Sequence, residues 1–359
     1  MVDASEEGQG TATGRYPEVD PDRCVHGLAE MASCQACVTG CPRDAWVLSD
    51  ESLGFDEDAC DGCGLCVPAC PQGAMQLPVE LLRLTWKNAD WFICACEKSG
   101  APNSVGILPC IHLPSISDLV RAGIKGVAGF IVATADCDAC PRGGVTRLGE
   151  RLPAVNRLLA ETGFQPLRLI ELSIEEWAHV RAAAAQAQLH RPVSRRGLFR
   201  GLADTAAETM GMDETRLEQE EGGQPPGRWV PKEREEAALH WPFSPRIDIE
   251  RCTGCDACAR ICPHQAIRLA RDAQGLCYML QPRECSGCDL CRDVCETDAV
   301  EVAHWQIGSP VRVGLAEQTC RICGAPFHPP ADAADENDPA VCRICRQINH
   351  HKNLFQVLD

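Results

Sequence analysis

The hydrophobic pattern between residues 86 and 190 changes period several times along the chain. Short apolar runs in this region are typical of strands, and two longer stretches repeat their apolar residues at helical spacing. The runs are WFICAC at 91–96, VGILPC at 105–110, VAGFIVATA at 127–135 and PLRLIEL at 166–172, and the helical stretches lie at 115–123 and 146–163. Strands that alternate with helices in this way predict a small α/β layer with a mainly parallel sheet.

Cysteines fall where these predicted strands end. They are Cys94, Cys96, Cys110, Cys137 and Cys140. Open α/β sheets gather their binding sites at the carboxyl ends of strands, whereas buried structural cysteines would be scattered along strands and helices. We therefore expect an iron–sulfur or metal site here, with one of the five cysteines to spare. The pattern does not identify the spare cysteine, and zinc or reduced structural thiols are the alternatives.

Regular cysteine spacing dominates residues 252–295. Two runs there have the form Cys-x2-Cys-x2-Cys-x3-Cys, which is the spacing of two 4Fe-4S clusters whose fourth ligands are exchanged. Disulfides or zinc are the alternatives, and two such runs in tandem argue against both. We name the predicted ligands the first C-terminal set (Cys252, Cys255, Cys258 and Cys295) and the second C-terminal set (Cys262, Cys285, Cys288 and Cys291).

The same pair of four-cysteine runs is repeated near the N-terminus. Residues 60–70 have the full pattern, but Cys24 precedes Cys34 by ten residues instead of three. We interpret residues 25–33 as an inserted surface loop, which costs little closure entropy. A cluster with three cysteine ligands and a free Cys24 is the alternative. The predicted ligands are the first N-terminal set (Cys24, Cys34, Cys37 and Cys70) and the second N-terminal set (Cys41, Cys60, Cys63 and Cys66).

Both cysteine-rich regions resemble bacterial two-cluster ferredoxins. The C-terminal resemblance covers about residues 246–304 and includes Cys262-Pro263, but Glu296 follows Cys295 where that family usually has proline. The central region resembles the small iron–sulfur subunit that connects hydrogenase or formate dehydrogenase modules to heterodisulfide reductase in methanogens. That resemblance rests on Cys-x-Cys at 94–96, Pro109-Cys110 and Cys-x2-Cys at 137–140, and it implies a 2Fe-2S cluster.

Two further Cys-x2-Cys knuckles lie near the C-terminus. Their cysteines form the tail site, namely Cys320, Cys323, Cys342 and Cys345. Four thiolates in this arrangement complete a tetrahedron around zinc, and the same arrangement holds one iron in rubredoxin. We expect zinc, because the Cys-Pro-x-Cys-Gly knuckle of rubredoxin is absent. Cys277 is expected to be a buried small residue, His264 an exposed turn residue, and His350 and His351 exposed tail residues.

The predicted fold is therefore multidomain α/β and α+β. A ferredoxin-like module at 17–85 precedes the central α/β domain at 86–190, a linker at 191–245, a second ferredoxin-like module at 246–305 and a zinc-ribbon-like tail at 306–359. Within the linker, Arg195-Arg196 resembles the opening of ferredoxins associated with nitrate reductases. We interpret that segment as an amphipathic helix or docking segment, and residues 212–245 as an extended connector.

Charge and the N-terminal sequence indicate which partners and which cellular compartment to expect. A formal net charge of −17 over 359 residues would repel a phosphate backbone, so we expect no nucleic-acid partner, and it would attract a basic redox partner. The first 14 residues lack a basic segment followed by an apolar one, which favours the cytoplasm. Residues 119–135 contain Arg121 and Lys125 and are too short to span a bilayer.

No nucleotide-binding glycine motif or nucleophile–base pair is recognisable, so we expect no catalysis by this chain alone. The leading hypothesis is an electron-transfer subunit that carries electrons between a catalytic oxidoreductase subunit and another redox carrier. An assembly or maturation factor for a metalloenzyme is the alternative, which the Arg195-Arg196 resemblance suggests. A zinc protein that binds nucleic acid is a distant third hypothesis, which the charge opposes.

Overall fold

A computed structural model of the chain describes residues 16–49, 53–79, 81–102, 105–143, 147–189, 223–333 and 340–347. Residues 1–15, Arg195-Arg196, and His350 and His351 lie outside these residues. Among the described residues, no helix combines the length and the apolar character needed to cross a membrane.

The N-terminal region consists of very short elements around cysteines. Strand β1 (Glu18–Val19) pairs with β4 (Met75–Gln76), and β2 (Trp46–Leu48) pairs with β3 (Leu53–Phe55), both antiparallel. The helices α1 (Val25–Leu28), α2 (Ala36–Thr39) and α3 (Cys66–Ala69) have four residues each. A core this small contains few large side chains, and its main aromatic contact joins the rings of Trp46 and Phe55 at 4.6 Å.

The central region is built on one five-stranded sheet. It contains β5 (Arg83–Trp86), β6 (Ala89–Cys96), β7 (Ile107–Leu108), β8 (Gly129–Ala133) and β9 (Arg168–Glu171). The order is β5-β6-β8-β9, with β7 also paired to β6. Strands β7 and β8 run parallel to β6, and β9 runs parallel to β8, as the predicted apolar runs indicated.

Strand β5 was not predicted as part of this sheet. It forms an antiparallel hairpin with β6, and Asp90 accepts hydrogen bonds from Arg83 at 2.9 Å and from Thr85 at 2.6 Å. The central sheet therefore begins before residue 86, where the sequence analysis placed the boundary.

Helices cover both faces of the sheet. Helices α4 (Ile116–Ile124) and α5 (Leu148–Glu161) pack in one core with Phe92 and Phe130, and α6 (Ile174–Leu189) places Trp177 in the core on the opposite face. Helix α4 begins at residue 116 because Ser115 and Asp118 form a reciprocal capping box.

The C-terminal region has two small antiparallel sheets. Long strands β10 (Leu239–Ile247) and β13 (Val300–Gly308) pair with each other, and β12 (Gly275–Leu280) lies between β11 (Ile267–Asp272) and β14 (Val311–Gly314). Helices α7 (Ala257–Ile261) and α8 (Leu290–Asp293) lie within the cysteine runs and contain Cys258 and Cys291. The tail adds β15 (Gln318–Thr319), β16 (Pro326–Phe327) and α9 (Arg343–Gln347).

The structure contradicts the predicted connector over residues 223–245. This stretch contains two 3-10 turns, Pro226–Trp229 and Lys232–Arg234, and the start of β10. Trp229 donates a hydrogen bond to Ser117 at 2.8 Å, and the guanidinium of Arg283 donates to the carbonyl of Arg228 at 2.9 Å. A few apolar residues in a polar stretch are buried, so this segment joins the central and C-terminal regions.

Candidate functional site

A turn that is repeated at four places supports the last cysteine of each run. The third residue after each of these cysteines has a positive φ, and the backbone N–H of the fourth residue donates to the cysteine sulfur. The turns are Cys41 with Asp44 and Ala45 (3.4 Å), Cys70 with Gly73 and Ala74 (3.3 Å), Cys262 with Gln265 and Ala266 (3.2 Å), and Cys295 with Asp298 and Ala299 (3.2 Å). Glu296 in place of proline therefore leaves the turn unchanged.

In the N-terminal region, the charges that act on a cysteine thiol come from the cysteines predicted to share its set. Burial raises the pKa of Cys37 to about 12, and the neighbouring charges of Cys34, Cys70 and Cys24 raise it further. Cys24 is thus next to its predicted partners despite the inserted loop. His26 in that loop lies with its Nε2 2.8 Å from the carbonyl oxygen of Cys34, which ties the loop to the run.

The second N-terminal set is arranged in the same way. Burial raises the pKa of Cys66 to about 12, with the charges of Cys63 and Cys41 also acting to raise it. A methyl group on Gly40 would lie 2.7 Å from the Cβ of Ala69, so α2 and α3 are in close contact. The two N-terminal sets are therefore neighbours.

The C-terminal cysteines repeat this crossed arrangement. Burial raises the pKa of Cys258 to about 12, and then the charges of the other three members of its set raise it. Burial also raises the pKa of Cys291. The charges of the other members of its set, and that of Cys258, raise this pKa further. The first and second C-terminal sets are therefore neighbours as well.

In the central region, four cysteines and not five meet. Cys96 ends β6, Cys110 follows β7, Cys137 and Cys140 follow β8, and all four line one small cavity, which we call the central site. Cys94 lies two residues inside β6, 1% exposed, in the core with Phe92 and Phe130. The expectation that all five cysteines lie at strand ends is wrong for Cys94, because β6 continues for two residues beyond it, and its side chain packs in the core beneath the sheet.

His112 is a neighbour of the central site that the sequence analysis missed. Its Nδ1 accepts the backbone N–H of Leu148 at 3.1 Å, so Nε2 carries the proton, and Nε2 lies 3.6 Å from the sulfur of Cys137. Burial, followed by the charges of Arg151 and Arg147, lowers the pKa of His112 to about 4. A neutral imidazole therefore points an N–H at this thiol. Its position two residues after Cys110 is the only sequence signal for it.

Arg142 joins the central site to the second N-terminal set, and it was also missed. Its side chain is buried and donates to Asp61 Oδ2 at 2.7 Å and to the carbonyl of Pro109 at 2.7 Å, and it pairs with Glu97 at 2.8 Å. Asp61 lies between Cys60 and Cys63, and Cys63 packs with Leu65 and Cys110 in one buried cluster. The central site and the second N-terminal set are thus adjacent.

A second set of contacts joins the N-terminal and C-terminal regions. Asp293 accepts hydrogen bonds from the backbone N–H and the hydroxyl of Ser33, at 2.8 and 2.7 Å. His264 was expected to be exposed, but it is partly buried and its Nε2 lies 2.6 Å from Gln72 Oε1. Ser33 precedes Cys34 and Asp293 follows Cys291, so the first N-terminal set and the second C-terminal set face each other.

The tail site is more compact than these sets. The four sulfur atoms of Cys320, Cys323, Cys342 and Cys345 all lie within 4.8 Å of one another. Burial acts to raise the pKa of Cys320, but backbone N–H groups that donate to its sulfur lower it to about 6. The thiolate form, which is the form that binds metal, is therefore favoured at this cysteine.

Comparison with protein families finds two matches, both within the cysteine-rich regions. Residues 53–76 match the 4Fe-4S binding domain family, and residues 251–299 match the 4Fe-4S dicluster domain family. Comparison with curated proteins returned no match. The first N-terminal run, Cys24 to Cys41, lies outside the matched residues. The chain therefore contains ferredoxin-type 4Fe-4S domains in both its N-terminal and its C-terminal region.

Proposed function

We propose that the chain is an electron-transfer subunit whose cysteine sets hold a continuous line of iron–sulfur centres. One observation carries this proposal: each set is in contact with the next. The order is the central site, the second N-terminal set, the first N-terminal set, the second C-terminal set and the first C-terminal set. The contacts are Cys63 with Cys110, α2 with α3, Ser33 with Asp293, and the buried cluster that contains both Cys258 and Cys291.

The donor sets fit the clusters that they would hold. Each ferredoxin-type set would bind one 4Fe-4S cluster through four thiolates, and the central site would bind a 2Fe-2S cluster through Cys96, Cys110, Cys137 and Cys140. Burial raises the pKa of Cys37, Cys66, Cys110 and Cys258 to about 12 in the protein without metal. Cluster binding must displace these protons. Because the unfolded chain has no preformed site, cluster binding also supplies folding free energy to regions with few large apolar side chains.

The proposed role places a partner at the central end of the line. Cys137 and Cys140 are partly exposed there, next to the exposed residues Asp136 and Asp138. Together with the net charge of −17, these carboxylates favour a partner with a basic surface. The partners would be a catalytic oxidoreductase subunit and a second redox carrier, in the cytoplasm.

Anaerobic isolation of the tagged full chain from a native extract tests this role. We expect a catalytic oxidoreductase subunit to copurify stoichiometrically, and its substrate to reduce the clusters of this chain. Clusters that stay oxidised while the copurified enzyme turns over would refute the electron-transfer role. A partner bound only in its immature form without cofactor would point to an assembly factor instead.

Replacing His112 by leucine should make the central site harder to reduce. The His112 N–H near Cys137 stabilises negative charge on the sulfur, which is larger in the reduced cluster. We expect the equilibrium constant for reduction to fall about tenfold, or about 59 mV for one electron. Redox titration followed by EPR measures this shift, and His179→Leu, on the exposed part of α6, is the matched control. An unchanged potential would show that His112 has only a packing role.

A further inference from the structure

The tail lies directly on the loop that carries the first two ligands of the first C-terminal set. Gly254 lies between Cys252 and Cys255 and has a φ of +70°. A methyl group at Gly254 would lie 1.9 Å from the carbonyl oxygen of His328 and 3.2 Å from the Cα of Pro329. The backbone of the tail therefore covers this loop at a distance that excludes any side chain at residue 254.

A buried carboxylate fixes the tail to the same loop. Asp256 follows Cys255 and is 6% exposed. Its Oδ1 accepts the hydroxyl of Tyr278 at 2.7 Å and lies 2.7 Å from Nε2 of His328. The backbone N–H of Asp256 donates in turn to the Tyr278 hydroxyl at 3.2 Å. The tail thus completes the hydrogen bonds of a side chain that would otherwise be buried with one partner fewer.

A second contact joins the tail to the last ligand of this set. Arg343, in α9, lies 2.9 Å from the carboxylate of Glu296, which follows Cys295. Residue 296 is the position where ferredoxins usually have proline. The described part of the tail therefore contacts both chain segments that carry ligands of the first C-terminal set.

The tail site has the dimensions of a single metal ion. Zinc–sulfur bonds of about 2.3 Å in a tetrahedron separate the sulfur atoms by about 3.8 Å. Cys323 and Cys342 have sulfur atoms 3.8 Å apart, and all four sulfur atoms lie within 4.8 Å. Among the described residues, none of the ferredoxin-type sets is this compact. Four thiolates leave no open coordination position, so the arrangement is that of a structural site.

We propose that the tail site binds one Zn²⁺ ion, and that this ion holds the tail as a cap over the cluster of the first C-terminal set. The zinc joins the β15–β16 knuckle, which leads to His328, to α9, which carries Arg343. Both anchors of the cap depend on the same ion. The cap closes this end of the line of centres to solvent and oxidants, so partners exchange electrons elsewhere on the chain. The cap assignment rests on the proposed electron-transfer function, whereas the zinc site does not.

Metal analysis and oxidant sensitivity of the full chain test this proposal together. The anaerobically purified chain should contain about one zinc per molecule, and Cys342→Ser should remove the zinc without reducing the iron content. His328→Ala keeps all four thiols, so it should keep the zinc and free the cap from Asp256. In both variants, ferricyanide should bleach about a quarter of the 4Fe-4S absorbance about tenfold faster than in the unmodified chain. Alkylation and mass spectrometry should find Cys252, Cys255, Cys258 and Cys295 labelled first.

The control variant is His179→Ala, which removes an exposed histidine far from the tail along the sequence and should bleach at the unmodified rate. Iron instead of zinc at the tail site, seen as a high-spin mononuclear ferric EPR signal, would overturn the zinc assignment. Unchanged bleaching in His328→Ala with zinc retained would overturn the cap. Missing 4Fe-4S clusters in the unmodified chain would instead refute the electron-transfer function and leave the zinc measurement standing.

Discussion

Cys262→Ser will remove the cluster held by Cys285, Cys288 and Cys291. It will spare the cluster of the first C-terminal set, although three ligands of that cluster lie in the same sequence run as Cys262. The reason is the crossed arrangement: the charge of Cys262 acts on the pKa of Cys285 and Cys291, and Cys258 is instead influenced by Cys252, Cys255 and Cys295. We expect a loss of about four iron atoms per chain. Folding of this region should weaken by several kcal/mol, because cluster binding is also folding free energy.

Iron analysis and cysteine alkylation measure this outcome. Cys277→Ala is the matched control, since Cys277 is buried in β12 between the two runs and its thiol donates to the carbonyl of Ala270. It should keep all of the iron. Alkylation of Cys252, Cys255 and Cys258 in the Cys262→Ser chain, instead of Cys285, Cys288 and Cys291, would show that each run binds its own cluster without exchange.

Local spacing explains why the ferredoxin-type sets were predictable. Each Cys-x2-Cys-x2-Cys run fixes its own turns, and Asp256 and Asp289, between the second and third cysteines of their runs, are left-handed with φ values of 65° and 60°. The irregular first run is the informative exception. Gln35, at the equivalent position between Cys34 and Cys37, has a φ of −123°, yet Cys24 still joins its set. The inserted loop therefore changes the turn and not the grouping of the cysteines.

The order in which the cysteine sets adjoin one another could not be predicted, because it depends on contacts between residues far apart in the chain. Ser33 and Asp293 are both ordinary surface residue types, and only the fold brings them within 2.7 Å. Arg142 is similar: its partner Asp61 lies 81 residues earlier. The connector was misjudged for a related reason. Its polar composition suggested an extended chain, but Trp229 is partly buried against α4, where it donates to Ser117 and stacks near the guanidinium of Arg121.

Polar contacts also hold the cysteine sets in place relative to one another. Arg142 satisfies Asp61, Glu97 and the carbonyl of Pro109 from one buried position. Loss of Asp61 or Glu97 would leave the buried guanidinium of Arg142 with one charged partner fewer, which destabilises the contact between the two regions. The network therefore fixes the position of the central site relative to the second N-terminal set, which a purely apolar contact would specify less sharply.

Cys110→Ser should abolish the central site and Cys94→Ala should preserve it, although both cysteines are buried. Cys110 lines the cavity with Cys96, Cys137 and Cys140, and the charges of Cys96, Cys63 and Cys137 act on its thiol. Cys94 is packed in the core of the sheet and does not line that cavity.

Cys110→Ser should therefore abolish the 2Fe-2S signal and leave the 4Fe-4S signals intact. Cys94→Ala should keep every signal and lose only about 1–2 kcal/mol of stability from the small cavity that it creates. EPR of the reduced chains and thermal unfolding under anaerobic conditions measure the two effects. If Cys94→Ala abolished the signal and Cys110→Ser preserved it, the ligand at the end of β7 would be wrong, and the site would have to reach into the sheet.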